Sequence, residues 1–505
     1  MADQMTVPSR EDPVARGAST LIGGPVGRHA RFGGSFWTPV RVLVALTLLT
    51  FGVGFLQKAP CRTHAWSEQY QYTRMCYSDV YALYFAEGLN EGKTPYVDHP
   101  VEYPVVIGGL MYVAARPADW LVDSDGNREA GTPDRDEGLF RGNEPAAFFD
   151  LTALLLAISA IVVTMTSVVL AGRRRPWDAA MVALAPGLLI HGTTNWDLAA
   201  VALAGLGLAF WARRWPLLAG LLFGFGTATK LYPVLFFIPL LALCFRAKQL
   251  RAWLVAAGGA VLGWLPYNLL AYAVGNRFIF DPETGEAIQV PTGGEHAWWR
   301  FWRLNKERTA DWDSLWYAFQ HWTGKTLAVG RLNLLVAIAF LVALGLILLL
   351  ILTAPRRPRL GQVLFLTMAA FLLTNKVNSP QYTLWLIPLA VMARPRWGPF
   401  LAWQAAEGLL LFTRFYYFIH IANSAEGLPA RWFITAVVIR DVALVVIMVL
   451  VVREIMRPDL DVVRTGGVDD PAGGVLDDTP DRMDLGPAWE RNERVPPPDL
   501  RPSPA

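Results

Sequence analysis

The sequence predicts an all-α protein that crosses a membrane many times, with about twelve transmembrane helices and interfacial helices in its first outer loop. The chain has 505 residues, of which 53% are hydrophobic and only 17% are charged, whereas a soluble domain carries about 25% charged residues. The apolar residues form long runs such as 332–352, as a helix crossing about 30 Å of hydrocarbon requires. Twenty tryptophans suit a protein with two membrane–water interfaces. These features exclude a soluble enzyme, a disordered protein and a fibrous one.

The two ends of the chain differ in composition from the middle. Residues 1–35 are polar and Gly-rich, and residues 458–505 are rich in Pro, Asp and Arg. Neither segment has enough apolar surface to offset the entropy of ordering, so both are predicted to be disordered. The first apolar run, 40–57, follows a basic segment without a small-residue cleavage pattern, which indicates an uncleaved first span. One transmembrane domain is therefore expected at 36–457.

The distribution of Lys and Arg predicts the topology, because basic loops stay on the cytoplasmic side. Placing the basic clusters inside gives a multi-pass protein of the plasma membrane with both termini in the cytoplasm. Two large loops, 58–146 and 276–330, then lie outside. The apolar stretch 103–115 is only about 13 residues long, which favours an interfacial segment over a further span. The predicted spans are 40–57, 147–171, 179–191, 197–212, 216–229, 231–245, 252–275, 331–354, 360–374, 382–393, 398–413 and 432–452.

Two of the three cysteines fall in the first predicted outer loop. Cys61 and Cys76 would close a loop of roughly 15 residues, and an oxidising compartment permits such a disulfide. Two free thiols are the alternative that the sequence leaves open. Cys244 lies in a predicted span, where a small packing residue is expected.

A short polar-to-aromatic stretch contains the first candidate site residue. Ser78 is predicted to cap a helix that runs to about Asn90, which puts Asp79 in its first turn. Tyr77, Tyr81 and Tyr84 share one face of this helix, as expected for a helix lying in the membrane interface. The alternative role for Asp79 is a carboxylate that is favoured at the helix start by the dipole.

Further acidic groups follow along the chain. Asp98, His99 and Glu102 form either a polar loop or a metal site, but their spacing matches no standard metal site. Asp197 opens the fourth predicted span, where it is either a helix-start residue or a substrate contact. Both interpretations stay open.

Three cations are predicted on the outer face, against the positive-inside trend. Lys230, Lys376 and Arg414 lie at or near membrane depth, where a charge is costly and marks a functional site by default. Snorkelling to lipid headgroups is the alternative. The second loop also interleaves basic and aromatic residues, which suits membrane lipids, sugar rings or an ordinary interfacial belt. These residues are His296, Trp298, Trp299, Arg300, Trp302, Arg303, Lys306, Arg308, Trp312 and His321.

The combination of groups suggests a chemistry. The sequence has no nucleotide, redox-cofactor or structural-metal motif, so no cofactor and no metal is expected, and its scattered basic residues indicate no nucleic-acid partner. A carboxylate can act as a general base on an alcohol, and cations can stabilise a phosphate leaving group. Together they indicate transfer of a sugar from a polyprenyl phosphate. A transporter or flippase of lipid-linked sugars and a non-catalytic scaffold are the alternatives.

Several stretches carry a family resemblance, in order over about residues 40–450. They are Ser78-Asp-Val-Tyr with Gly88-Leu-Asn-Glu-Gly-Lys-Thr-Pro-Tyr, Glu102-Tyr-Pro-Val, Asn195-Trp-Asp, Thr227-Ala-Thr-Lys-Leu-Tyr-Pro-Val-Leu and Lys376-Val-Asn-Ser-Pro-Gln-Tyr-Thr-Leu-Trp. The set resembles glycosyltransferase family 87 of the GT-C superfamily, of actinobacterial type. This resemblance implies an inverting enzyme with an extracytoplasmic site. Its expected donor is polyprenyl-phosphate mannose or arabinofuranose, and its acceptor a lipid or a glycan.

The resemblance also implies residue roles. Asp79 matches the family's catalytic aspartate, and Lys230 and Lys376 match positions near the donor phosphate. The expected substrate-binding residues are Lys230, Lys376, Asp197, Glu102, Gln381 and Arg414. The chain departs from the family in two places. It has Tyr103-Pro104-Val105 where the family often has Tyr-Pro-Pro, and it carries an acidic insertion at 119–145.

Overall fold

The structure is a computed structural model that describes residues 5–7, 11–23, 36–64, 66, 68–123, 144–283, 285–465, 469–477 and 479–481. Apart from one small sheet it is helical. The first helices are α1 Pro13–Gly23, α2 Pro39–Gln57, α3 Ala59–Thr63, α4 Glu68–Thr73, α5 Asp79–Ala86, α6 Val105–Asp123, α7 Glu144–Ala171, α8 Ala180–Ala183, α9 Pro186–His191, α10 Asp197–Ala212, α11 Pro216–Thr229, α12 Phe237–Arg246 and α13 Leu250–Val274. They are followed by α14 Arg300–Glu307, α15 Leu315–Thr323, α16 Val329–Thr353, α17 Leu360–Thr374, α18 Thr383–Ala393, α19 Trp397–Ala422, α20 Ala430–Met456 and α21 Val462–Thr465.

Helical structure occupies every predicted span, which confirms the helical fold class. Within the described residues, five helical stretches are long and apolar enough to cross a membrane. They are Pro39–Thr63, Pro145–Ala171, Leu250–Val274, Val329–Thr353 and Ala430–Met456. Several other predicted spans, such as α10 and α11, are apolar helices of 10–17 residues.

One predicted span is broken. Where a single helix was expected at 179–191, α8 ends at Ala183 and α9 begins at Pro186. Proline has no amide hydrogen and restricts the residue before it, so the helix stops there. Ala185 accordingly has an extended backbone.

Close packing between α11 and α13 depends on small residues. A Cβ atom at Gly220 would lie 1.9 Å from the carbonyl oxygen of Ala256, so only glycine fits this contact. Small residues at helix interfaces are typical of membrane proteins, where backbones approach closely. This packing fixes the end of α11, at which Lys230 emerges.

The first loop is largely ordered. Cys61 and Cys76 form a disulfide with a Cα–Cα distance of 5.8 Å. Ser78 caps α5 by accepting a hydrogen bond from the amide of Val80, and Asp79 is its first residue, as predicted. The interfacial role of the tyrosines is wrong for Tyr84, which is fully buried because its ring packs on Phe148 of α7.

The second loop departs from the all-α prediction. It contains a three-stranded antiparallel sheet of β1 Arg277–Phe280, β2 Ala287–Val290 and β3 Glu295–His296, in the order β2-β1-β3. Phe278 of β1 is buried, whereas Ile279 is exposed. This alternation is the pattern of a strand with one covered face.

Parts of both predicted disordered ends are ordered. Asp461 is buried and forms an ion pair of 2.7 Å with Arg359, and the indole of Trp211 donates to the carbonyl of Gly473. At the other end, the Asp12 carboxylate accepts from the amide of Trp397. The disorder prediction is therefore wrong for the described parts of 1–35 and 458–505, because acidic side chains there bind groups at helix ends. The rest of these ends, and residues 124–143 of the acidic insertion, lie outside the described residues.

Candidate active site

Asp79 is a half-buried carboxylate held by three donors. The hydroxyl of Tyr77 donates to Oδ1 at 2.7 Å. The side-chain amides of Asn195 and Gln381 donate to Oδ2 at 2.7 Å and 3.2 Å. These three donors come from three different parts of the chain, so the arrangement fixes the orientation of the Asp79 carboxylate.

The backbone explains why Asp79 has this position. The amide of Asp79 donates to the carbonyl of Thr194 at 2.9 Å, and the Ser78 hydroxyl donates to the carbonyl of Thr193. The start of α5 is thereby bound to the turn that precedes α10. A buried cation, Lys58, lies behind it and donates to the carbonyl of Tyr77.

Asn195 joins the carboxylate to a cation. Its Nδ2 donates to Asp79 and, at 2.9 Å, to the hydroxyl oxygen of Tyr103. Its Oδ1 accepts from Lys230 at 3.3 Å and from the amide of Trp196 at 2.7 Å. Asn195 is fully buried, and these four bonds use its hydrogen-bonding groups completely. We call Asp79, Tyr77, Asn195, Lys230 and Gln381 the Asp79 cluster.

Lys230 has a counter-charge beneath it. Its Nζ lies 3.7 Å from Oδ1 of Asp197 and 4.6 Å from the ring centre of Tyr103. Asp197 is fully buried, and its Oδ1 also accepts from the indole of Trp385. Asp197 is the first residue of α10, which confirms its helix-start position, and its role as a substrate contact stays a prediction.

Glu102 is close to the cluster and to cations of the second loop. Burial raises the pKa of Glu102, and the positive charges of Arg308, Arg300 and Lys230 oppose that rise. Among the residues that the structure describes, none donates a hydrogen bond to its carboxylate. The structure thus brings Glu102 beside the Asp79 cluster, as its predicted role requires.

A second acidic group lies behind Glu102. Burial, followed by the charge of Glu102, raises the pKa of Glu87 to about 8. Oε2 of Glu87 is 3.5 Å from Nε2 of His99, and burial lowers the pKa of His99 to about 4. Both groups are therefore neutral near pH 7, and their contact is a neutral polar contact rather than an ion pair. For His99 and its neighbours the sequence predicted either a polar loop or a metal site, and the contact with Glu87 was not predicted.

Lys376 makes different contacts from those predicted. Its ammonium donates to the carbonyls of Lys306 and Arg308 and to Oδ1 of Asn333, at 3.1, 2.7 and 2.6 Å. An ammonium has three hydrogens, so these bonds use its donor capacity. Lys376 therefore holds the segment after α14 in place, and Arg308 of that segment is the cation that faces Glu102.

Arg414 belongs to an aromatic neighbourhood next to Asp79. Its Nε lies 3.2 Å from Oδ2 of the fully buried Asp313, and its guanidinium lies 5.0 Å from the ring centre of Phe418. Burial raises the pKa of Asp313 to about 6, and the charge of Arg414 opposes this rise. Arg414 is thus an ion-paired residue at the edge of the cluster.

The structure adds residues that motif reading had not singled out. Tyr77 was predicted only as an interfacial tyrosine, Asn195 and Tyr103 were quoted only as parts of longer stretches, and Lys58 was not considered. Asn195 precedes Asp197 by two residues, and a polar pair of this kind at the start of an apolar helix was the available signal. Lys58 gave none, because its burial depends on the packing of the first loop.

No protein-family model matches the chain, and no curated protein sequence matches it.

Proposed function

We propose that the chain is an inverting glycosyltransferase of the GT-C type, with about twelve spans and both termini in the cytoplasm. It transfers a sugar, with mannose as the first candidate, from a polyprenyl phosphate to a lipid or glycan acceptor outside the plasma membrane. The observation that carries the proposal is the Asp79 cluster, in which one amide, Asn195, connects a half-buried carboxylate to a cation. The ordered motifs that resemble glycosyltransferase family 87 also support it.

In the proposed step, Asp79 and Lys230 at opposite ends of the Asp79 cluster act on different groups of the substrates. Asp79 takes the proton of the acceptor hydroxyl, whose oxygen forms a bond to the anomeric carbon. The bond from that carbon to the phosphate oxygen breaks on the opposite face, and the phosphate leaves with the electron pair. Lys230 stabilises the negative charge of the leaving group, which is electrostatic stabilisation of the kind that lowers barriers most. Arg308 and Glu102 border the same region.

The proposal is tested by transfer of radiolabelled mannose from its polyprenyl phosphate by the purified protein in lipid. We expect label in the acceptor with the wild type and a loss of about 10²–10⁴-fold with Asp79→Asn, as for loss of a general base. Label on both sides of a vesicle without a new glycosidic bond would instead support the flippase alternative. Polyprenyl-phosphate arabinofuranose is assayed as the alternative donor. Equal turnover by wild type and Asp79→Asn would refute the role of Asp79 as the base.

A further inference from the structure

The two oxygens of Asp79 have different surroundings. A carboxylate oxygen has two acceptor positions, and Oδ2 uses both for the amides of Asn195 and Gln381. Of the described residues, only the Tyr77 hydroxyl donates to Oδ1. An incoming hydroxyl therefore has an acceptor position at Oδ1 and none at Oδ2.

The Oδ1 side of Asp79 is lined by aromatic rings. The ring of Tyr77 lies 6.4 Å from that of Tyr72 and 6.3 Å from that of Phe415. Tyr72 in turn lies 5.9 Å from Phe415 and 5.5 Å from Phe418, and Phe418 contacts Arg414. We call Tyr72, Tyr77, Phe415 and Phe418 the aromatic wall. Tyr72, Tyr77 and Phe418 are half-buried, whereas Phe415 is buried.

The Oδ2 side has the opposite character. It leads through Asn195 to Lys230 and to the hydroxyl of Tyr103, with Glu102 and Arg308 nearby. Of these groups, Lys230, Arg308 and the hydroxyl of Tyr103 are cations or hydrogen-bond donors, which suit a phosphate. Asp79 thus separates a cationic side from an aromatic side.

We propose that the aromatic wall is the acceptor subsite and that its ligand is a sugar ring. This inference rests on the proposed function and specifies the acceptor. One face of a pyranose carries C–H groups that pack on aromatic rings, and its hydroxyls need polar partners at the rim. The wall has both, because Tyr77 carries a hydroxyl and Arg414 lies at the far edge with an exposed side-chain fraction of 18%. Pockets of this kind combine aromatic lining with few placed polar groups.

A simple long-chain alcohol fits this side less well. It would contact the rings through a flexible chain, whose ordering costs conformational entropy, and it would present only one hydroxyl to the polar rim. The Tyr77 hydroxyl and the Arg414 guanidinium already bind Asp79 and Asp313, and their remaining acceptor and donor positions can bind the further hydroxyls of a sugar ring. The acceptor expected from the wall is therefore a glycoside, whose ring hydroxyl is directed to Oδ1.

Binding measurements test the subsite without requiring turnover. The probes are octyl α-mannoside for the aromatic side and farnesyl phosphate for the cationic side, each titrated into protein in lipid nanodiscs. Loss of a stacked aromatic contact is worth about 0.5–1.5 kcal/mol beyond its area, so Tyr72→Ala should weaken octyl mannoside about tenfold, with farnesyl phosphate unchanged. Tyr72→Phe should bind octyl mannoside within about twofold of wild type, because the ring is kept. Phe412→Ala removes an exposed ring from the same helix as Phe418 and is the matched control, with no expected effect.

Lys230→Met, made together with Asp197→Asn, should show the converse pattern, with farnesyl phosphate weakened and octyl mannoside unchanged. Equal binding of octyl mannoside by wild type, Tyr72→Ala and Phe418→Leu, with normal binding of farnesyl phosphate, would overturn the acceptor subsite and leave the proposed function standing. If no variant weakens the binding of either ligand, or if farnesyl phosphate does not bind wild type saturably, both the acceptor subsite and the proposed function are overturned.

Discussion

The two ends of the helix bundle use charge in different ways. At one end, Arg175, Arg246, Arg357, Arg359 and Arg464 form what we call the basic face. Arg359 donates there to Asp461 and to the carbonyls of Met392 and Ala393 at 2.7–3.1 Å. At the other end, Lys230 has an amide oxygen at 3.3 Å and a carboxylate at 3.7 Å.

This difference separates structural ion pairs from a site. On the basic face, Arg246 donates to the carbonyls of Ile351 and Ala354 and to Asp481, so its charge is matched within the fold. Among the described residues of the Asp79 cluster, Oδ1 of Asp79 keeps an acceptor position, and the contacts of the Lys230 ammonium with oxygen atoms are 3.3 Å and 3.7 Å long. Buried polar groups with complete partners stabilise a fold, whereas incompletely bonded groups leave capacity for a ligand. The basic face has more cations than the Asp79 cluster, but its cations are bonded within the fold. The incompletely bonded groups of the Asp79 cluster therefore favour that end of the molecule as the site.

The largest expected effect breaks the basic face. Asp461→Asn removes the carboxylate that is hydrogen-bonded to the buried guanidinium of Arg359, which costs about 3–5 kcal/mol of unfolding free energy. The measurement is the midpoint of thermal unfolding in detergent. Because the change lies at the end of α17 opposite to Lys376, the folded fraction should keep its KM for the donor. Unchanged thermal stability would show that the C-terminal segment is not bound as the structure has it.

The second prediction sharpens the contrast between two lysines of the Asp79 end. Lys230→Met should raise the KM for the donor roughly tenfold to a hundredfold, since a hydrogen bond to a charged group is worth about 1.5–3 kcal/mol. The Lys230→Met variant also carries Asp197→Asn, because the buried carboxylate of Asp197 would otherwise lose the positive charge of Lys230. Lys376→Met should lower thermal stability and affect the donor KM less, because its ammonium holds backbone carbonyls. Equal effects of both variants on the donor KM would contradict the distinction.

The third prediction concerns pH and the acidic group behind Glu102. Burial raises the pKa of Glu87 to about 8, so the folded state binds more protons than the unfolded state between its ordinary pKa and pH 8. Stability should fall as pH rises through that range. The lowered pKa of His99, about 4, works in the opposite direction only below its ordinary value near 6.5. From pH 6.5 to 8 the net loss is about 1 kcal/mol.

Thermal unfolding across pH 6–9 measures this effect. Glu87→Gln cannot ionise and should flatten the profile between pH 6.5 and 8, so the variant should gain stability relative to wild type as pH rises through this range. His99→Gln should leave the upper part of the profile as it is. A wild-type profile that is flat or rising in this range would refute the protonated state of Glu87.

The smallest predicted effect distinguishes orientation from catalysis. Tyr77→Phe removes the hydroxyl that donates to Oδ1 of Asp79 and keeps the ring. With the carboxylate oriented less firmly, kcat should fall about fivefold, the equivalent of about 1 kcal/mol, while the KM for the donor should stay within about twofold of wild type. An unchanged kcat at saturating substrates would show that the Tyr77 hydroxyl does not orient Asp79 for the reaction.

Sequence patterns predicted the helices better than the contacts. Apolar runs define α2, α10, α11 and α17 because their period and length are local properties of the chain. The Ser78 cap and the position of Asp79 were predictable for the same reason. The sheet of the second loop was not predicted. Its three strands are short, and the basic and aromatic residues of this loop indicated a lipid-binding, sugar-binding or interfacial segment instead.

Site partners depend on distant residues and were less predictable. Asp79 and Gln381 are 302 positions apart in the chain, and no local pattern encodes their contact. The contacts of Lys376 with backbone carbonyls were not predicted, because a charge at membrane depth indicates a need for partners without saying whether they are substrate atoms or backbone carbonyls. The ordered C-terminal segment was missed because its composition is polar, while its acidic side chains bind arginines that lie far away in sequence.

The most direct test of the central claim is the position of a bound polyprenyl phosphate. The measurement is electron cryomicroscopy of the protein in nanodiscs with decaprenyl phosphate, compared with the same sample without it. The account predicts phosphate density within hydrogen-bonding distance of Nζ of Lys230 and the hydroxyl of Tyr103, beside Asp79. Phosphate density on the arginines of the basic face, with the Asp79 cluster unoccupied, would contradict it.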